Sequence, residues 1–339
     1  MESTIQTVAT AANVSISTVS RAFTHPELVS EKTRKRIMDI AVEQGFSLSR
    51  SATALKTGKS LRIALLMSGK LNLWFISSVI EGLNDVFHDS GYDISIFQIS
   101  SAEERKKFFT ELPLRRNADA VIVTSFGIDA NEVKRLGSIG IPIIGINSDY
   151  PRERGFTAAV NINDDKGSQL AARHLIQLGH KDIAYISTHR EVSLHFSVQE
   201  RINSFIEYCH EYGAHITQIP CNIDEDGIYR IGEVASRLLS LENFPTAVAC
   251  QEDGIAIPLQ FQLQRNGLSV PENISLIGYD DAAFSSDLGL TTIHQDPVAM
   301  AQKAARMTLQ LINGEELTEP FVVEPAELVV RSSTTHPLS

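Results

Sequence analysis

Between positions 15 and 21 the chain reads Ser-Ile-Ser-Thr-Val-Ser-Arg. Wound as a helix, this stretch turns Ile16, Ser17, Thr18, Ser20 and Arg21 outward and Val19, with Ala22, inward. The outward set has the chemistry of a major-groove reader. A guanidinium such as Arg21 donates two hydrogen bonds to guanine O6 and N7, and an aliphatic side chain such as Ile16 touches a thymine methyl. Hydroxyls such as Ser15, Thr18 and Ser20 reach phosphate oxygens. An ordinary amphipathic hairpin accounts for any one of these residues and poorly for all of them together.

A second group lies just past apolar runs of β character: Ser68, Thr124, Asn147, Glu252 and Asp280, with Trp74 and Phe75 nearby. Carboxylates and amides accept hydrogen bonds from hydroxyls, and aromatic faces cover the apolar side of a sugar ring. Ser68 and Thr124 are equally well read as turn residues. Asp280 and Trp74 fit that bland reading less well.

Catalytic patterns are missing. There is no G-x-S-x-G elbow, no G-x-x-x-x-G-K-[ST] phosphate loop and no H-E-x-x-H. His189 and His195, six apart, fit no common ligand spacing and read as loop or pocket residues. Glu252-Asp253 and Asp280-Asp281 have no glycosidase geometry legible in sequence. The three cysteines, Cys209, Cys221 and Cys250, have no C-x-x-C spacing and read as small buried residues. No catalytic residue, metal or cofactor is expected.

The elements that must hold these groups follow from periodicity. Ile5, Val8, Ala9 and Ala12 share a helical face. Asn13 tolerates the left-handed backbone of a tight turn, and Ser15 caps the next helix. Ala9 is small enough to let the two helices meet, as in a helix-turn-helix. A third helix runs from a Ser30 cap through Ile37, Ile40 and Ala41 to Gly45, with Phe46 packing back. Residues 49–57 are helix-compatible but carry almost no apolar face, which suits a linker that orders on DNA.

From Leu61 the pattern changes. Runs at Ile63–Met67, Ile94–Phe97, Ala120–Val123, Ile141–Ile146, Ile183–Ile186, Ala247–Cys250 and Ile274–Ile277 alternate with helical stretches such as Ile76–Ser90, Lys166–Leu178 and Val198–Tyr212. That alternation means parallel sheets covered by helices. Its length calls for two lobes, with ligand beyond the carboxyl ends of the strands. The expected division is a head at 1–47, a hinge at 48–60 and a two-lobed body at 61–339.

Charge supports the division. The 339 residues carry a net −11, yet residues 1–60 hold eight Lys and Arg against five acids. A basic head on an acidic body is the balance of a DNA reader with a separate ligand domain. The start, Met-Glu-Ser-Thr, lacks a basic segment followed by an apolar one, and no apolar run is long enough to span a bilayer. A cytosolic protein with no membrane contact is expected.

Taken together, the chain resembles the lactose repressor/galactose repressor family over essentially its full length. The resemblance rests on Val8-Ala9 with Val14 to Arg21, Val29 to Arg34, His174-Leu175 with Leu178 to Ile186, Val270 to Asp281, Leu290 to Ile293 and Glu327 to Arg331. It implies an α/β protein with a three-helix helix-turn-helix head and a two-lobed, periplasmic-binding-protein-like effector domain. It also implies a homodimer on double-stranded DNA with a near-palindromic operator, acting as a repressor. Base reading falls to Ile16, Ser17 and Arg21. Thr4, Ile5, Thr24, Ser30 and Thr33 join the DNA contacts, as do Ala52, Leu55 and Lys56 of the hinge, with Leu55 wedged into the minor groove. Arg201 and Asp280 match effector-contacting positions, and Asn72 and Gln295 complete the expected ligand set.

Three departures stand out. The segment after the first strand is Asn72-Leu73-Trp74-Phe75 where the family has Asn-Pro-Phe-Phe. Glu252-Asp253 replaces Asn-Asp, and Leu48-Ser49 replaces Pro-Asn at the hinge. The first two predict a ligand of altered shape or charge. The chain stops eight residues after Arg331, which favours a dimer over larger assemblies. A sugar or sugar derivative is the expected effector, as inducer or corepressor. A purine or other polar metabolite is the alternative, and a ligand-binding protein without DNA function is the rival class.

Overall fold

The computed structural model describes residues 3–24, 26–46, 59–99, 101–115, 117–125, 127–138, 140–148, 155–188, 198–224 and 227–338. The chain separates into two compact units, Met1–Leu61 and Arg62–Ser339.

In the first unit, α1 (Ile5–Ala11), α2 (Ile16–Thr24) and α3 (Glu31–Glu43) surround a small core of Val8, Ala9, Ala12, Val19, Ala22, Ile37 and Ala41. Local sequence sets each end. Thr4 and Thr7 form a reciprocal capping box at the start of α1. Asn13 makes the turn at φ 49°. The Ser15 hydroxyl accepts from the Thr18 N–H at 3.1 Å, and Ser30 caps α3 through the Thr33 N–H. Phe46 returns to set its ring edge-on to Phe23 at 6.0 Å. Alanines at 9, 12, 22 and 41 let such short helices pack closely around so few large side chains.

The second unit holds two parallel sheets. The first contains β1 (Arg62–Met67), β2 (Asp93–Gln98), β3 (Ala120–Thr124), β4 (Ile143–Ile146), β5 (Ala158–Ile162) and β11 (Phe321–Glu324), in the order β11-β5-β4-β3-β1-β2. The second contains β6 (Asp182–Thr188), β7 (His215–Cys221), β8 (Ala247–Cys250) and β9 (Ser275–Ile277), in the order β7-β6-β8-β9. A short antiparallel pair joins β10 (Thr292–His294) to β12 (Glu327–Val329). Central strands such as β3 and β8 are buried at every position, as strands covered on both faces must be.

The chain passes from the first sheet to the second after β5, through α7 (Asp164–Gln177), and packs α8 (Val198–Glu211) beside it. It returns after β10 through α11 (Pro297–Ile312), which lies along α4 (Trp74–Asp89), and crosses again after β11. Gly82 makes the α4–α11 approach feasible: a Cβ there would lie 2.3 Å from the Val298 carbonyl oxygen and 2.9 Å from Ala301 Cβ. The remaining described α-helices are α5 (Ala102–Arg115), α6 (Ala130–Gly137), α9 (Ile231–Leu239) and α10 (Asp253–Arg265).

The expected apolar runs fall on β1–β4, β6, β8 and β9. Two are shortened at their starts: Pro142 is outside β4, and Ile274 is outside β9. No expectation covered β5, β7, β10, β11 or β12. The periodic signal is weak in β7, an edge strand that tolerates Pro220 because the ladder needs nothing from its nitrogen. The expected hinge lies almost wholly outside the described residues. No described helix is long and apolar enough to cross a membrane.

Candidate functional site

On the head, Ser15 just before α2 and Ile16, Ser17 and Arg21 on it are exposed, and Thr18 and Ser20 are partly exposed. Ile16 is 43 % exposed, so its aliphatic side chain is available to a partner surface. The Ser15 hydroxyl pairs with the hydroxyls of Ser17 and Thr18 at 2.7 and 2.8 Å, so the three form one cluster at the start of α2. Thr4 and Ser30 are exposed, and Ile5 and Thr33 partly so, near the starts of α1 and α3. Thr24 ends α2. Ala52, Leu55 and Lys56 lie outside the described residues, as do His189 and His195.

In the second unit, residues at the carboxyl ends of both sheets surround a cavity of about 340 Å³. Its lining includes Ser68 after β1, Ser125 after β3, Asn147 after β4, Glu252 after β8, Asp280 after β9 and Gln295 after β10, with Trp74 and Phe75 at the start of α4 and Arg201 from α8. Two expected residues are not on the lining. Thr124 is wholly buried as the last residue of β3, and its neighbour Ser125, at φ 62°, faces the cavity instead. Asn72 is exposed in the turn before α4, which begins two residues later.

Arg201 organises the wall. It is 3 % exposed, and its Nε donates to Asp164 Oδ1 at 2.7 Å. Its Nη1 reaches Asp280 Oδ1 and the Gln251 carbonyl, each at 3.3 Å. The guanidinium carbon lies 3.8 Å from the centre of the Tyr279 ring, and the Tyr279 hydroxyl donates to the same Asp164 oxygen at 2.8 Å. Burial opposes the charge on Arg201, but Asp164, Tyr279 and Asp280 together outweigh it and hold the guanidinium above its ordinary value. Asp280 also accepts from Gln295 Nε2 at 2.5 Å. Burial, the largest influence, raises its carboxyl well above the usual range.

Asp253 serves the frame of the cavity. Its carboxylate accepts from the Ala282 N–H and from the Ser285 and Thr292 hydroxyls, tying the start of α10 to the β9–β10 region. Burial pushes it up to about 6, against the pull of those three donors. Gly278 is required alongside it, since a Cβ there would sit 1.9 Å from Asp253 Oδ1. Glu252, the residue before Asp253, accepts from the Tyr229 hydroxyl.

Three lining residues, Ser125, Asn147 and Asp280, hold left-handed φ values of 62°, 50° and 121°. Such backbone conformations gather at binding sites, where the surrounding structure maintains them. Among the described residues, two buried polar atoms on the lining, Ser68 Oγ and Gln295 Oε1, have no hydrogen-bond partner. Buried polar groups of this kind are normally satisfied, so these two point to a polar guest.

Sequence reasoning missed Asp164, Tyr229, Gln251 and Tyr279. Asp164 has the form of a first-turn helix acid, and Tyr229 sits in an irregular segment without periodicity. Neither position signals a cavity until the lobes meet.

Comparison with known proteins places these units in context. Residues 4–48 match the profile of bacterial regulatory proteins of the lacI family, and residues 172–334 match a periplasmic binding protein-like domain. The head therefore carries a lacI-family DNA-binding domain, and the body a periplasmic binding protein-like domain. The chain is 29 % identical over 337 residues to the HTH-type transcriptional repressor PurR of Vibrio parahaemolyticus, covering 97 % of this chain and 98 % of that one. It shares its fold with the Lac repressor dimer bound to operator and an anti-inducer, at 24 % identity and a TM-score of 0.81, covering 99 % and 100 % of the two chains. A LacI-family regulator from Enterococcus faecium with bound ribose is 25 % identical, with a TM-score of 0.69, over 82 % of this chain and 100 % of that one. The chain is a DNA-binding transcription regulator with an effector-binding domain, and the relatives it matches are regulators, not enzymes.

Proposed function

We propose that the second unit holds a small hydroxyl-rich molecule, a sugar or sugar derivative, in the cavity between its sheets. Occupancy sets how tightly a homodimer grips a near-palindromic operator. The observation that carries this reading is one cavity lined both by the aromatic faces of Trp74 and Phe75 and by the polar groups of Arg201, Glu252, Asp280 and Gln295. Sugars present an apolar ring face and a rim of hydroxyls, and both surfaces find partners there. The ribose held by the Enterococcus relative supports the same class.

In this reading Ile16, Ser17 and Arg21 face base edges, and Ser15, Thr18 and Ser20 contact phosphates, with Thr4, Thr24, Ser30 and Thr33 near the backbone. The hinge residues Ala52, Leu55 and Lys56 contact the duplex when the two lobes adopt one arrangement. Operator affinity shifts by the effector's preference between arrangements and by no more.

The test uses a built-in probe, because Trp74 is the sole tryptophan. Full-length protein is titrated with sugars and nucleobases while Trp74 emission, melting temperature and operator binding are followed. A sugar is expected to change the emission, raise the melting temperature and shift operator affinity. If a nucleobase does all three and no sugar does, the effector is a flat ring, for which the Trp74–Phe75 pair is the favouring feature. Operator binding indifferent to every ligand that occupies the cavity sinks the proposal.

A further inference from the structure

The charges around the cavity restrict what enters it. This rests on the cavity being the effector site. Arg201 is the one cation among the described lining residues, and Glu252, Asp253 and Asp280 line the cavity with it. The guanidinium is already engaged by Asp164, Asp280 and the Gln251 carbonyl, so it offers an incoming anion no unneutralised charge. Asp253 is likewise committed to Ala282, Ser285 and Thr292.

Glu252 differs from these. Its Oε1 accepts from Tyr229, and among the described residues no cation pairs with it. A carboxylate only accepts hydrogen bonds, so its second oxygen asks for a donor on the ligand. Gln295 Oε1, 97 % buried by its residue exposure of 3 %, asks for another. Ser68, 5 % exposed, can donate or accept. Negative charge is already crowded: after burial itself, Asp253 and Glu252 help raise the Asp280 carboxyl, against the pull of Arg201.

We propose that the cavity admits neutral, hydroxyl-bearing ligands and rejects ligands carrying a carboxylate or phosphate, and that Glu252 enforces the rejection. A hydroxyl donates to Glu252 and Gln295. An ionised acid donates to neither and faces like charge at short range in a half-enclosed site. Coulomb repulsion there weakens binding by at least about tenfold.

The experiment titrates full-length protein with matched sets of probes by calorimetry: ribose, glucose and galactose, the 6-carboxylates of the two hexoses, and the terminal phosphates of all three. Adenosine and adenosine monophosphate form a further pair. Wild type is compared with Glu252→Gln, which keeps an acceptor for Tyr229 and removes the charge. The expected result is that the neutral member of any set that binds is favoured at least about tenfold over its anionic partner. Glu252→Gln narrows that gap. Anionic members binding as well as their neutral partners overturn the proposal and leave the effector site in place. Binding only of the adenosine pair overturns the sugar reading and still tests the charge rule.

A ligand-free readout covers the case in which no probe binds. Removing an unpaired charge from a crowded negative site raises the melting temperature of Glu252→Gln above that of wild type. A fall shows that Glu252 is compensated and overturns the proposal.

Discussion

Replacing Arg201 by methionine keeps an unbranched apolar stem and removes the guanidinium. The variant loses the bonds to Asp164, Asp280 and the Gln251 carbonyl and the contact over the Tyr279 ring. Asp164 and Asp280 are left buried without their cation. Breaking a buried pair from one side costs about 3–5 kcal/mol, because the partner charges stay behind. For a unit of this size that is a fall in melting temperature of roughly 6–20 °C. Circular dichroism melts of full-length wild type and variant at pH 7 measure it. A second readout follows from the sign of the linkage. Asp280, whose carboxyl is already raised by burial, takes up a proton more readily without its cation. The folded variant then binds more protons than its unfolded chain, and its stability rises as pH falls. The gap between wild type and variant is therefore expected to narrow as pH falls below 7. A loss below about 1 kcal/mol at pH 7, in the range of an exposed pair, would refute the argument that Arg201 holds the cavity wall together.

Other outcomes follow from the same structure. Arg21→Ala is expected to relax base preference at one operator position by about 1–3 kcal/mol, measured by binding selection on randomised duplexes; unchanged preference would remove α2 from the groove. Lys56→Ala should weaken all DNA alike and flatten the salt dependence of binding, as loss of a phosphate contact does. Gly278→Ala forces a Cβ against Asp253 Oδ1, so a destabilisation of about 1–3 kcal/mol or more is expected in urea titrations, with effector binding impaired. Asp253 carries a raised pKa of about 6, so the folded protein holds its proton more tightly than the unfolded chain. Its contribution favours folding at low pH and is lost as pH rises from about 4 through 6. Denaturation of wild type relative to Asp253→Asn across that window checks the direction.

Much of the head was readable because its determinants are local. The left-handed turn needs a residue like Asn13, the caps need Ser15 and Ser30 immediately before helices, and the close contacts need alanines at fixed helical spacing. Buried parallel strands were readable for a similar reason, since a strand covered on both faces must be apolar at every position. Edge and late strands were harder. β11 exposes Val323 and joins the first sheet after the chain has built the second, so neither its composition nor its place in the chain announces its partner.

The cavity divides along the same line. Residues at strand ends were visible as polar punctuation after apolar runs, and Ser68, Asn147, Glu252 and Asp280 all reach the lining. Sequence by itself therefore determined a DNA-reading head, a two-lobed body and the polar inventory available to a ligand. Only the tertiary structure decided how that inventory is spent. It brought Asp164, 37 positions away, onto Arg201, closed both oxygens of Asp253 and left Gln295 Oε1 without a partner among the described residues. Hydrogen bonding and desolvation act at a few ångströms in space. Chain order leaves those distances open until both sheets are folded and facing one another.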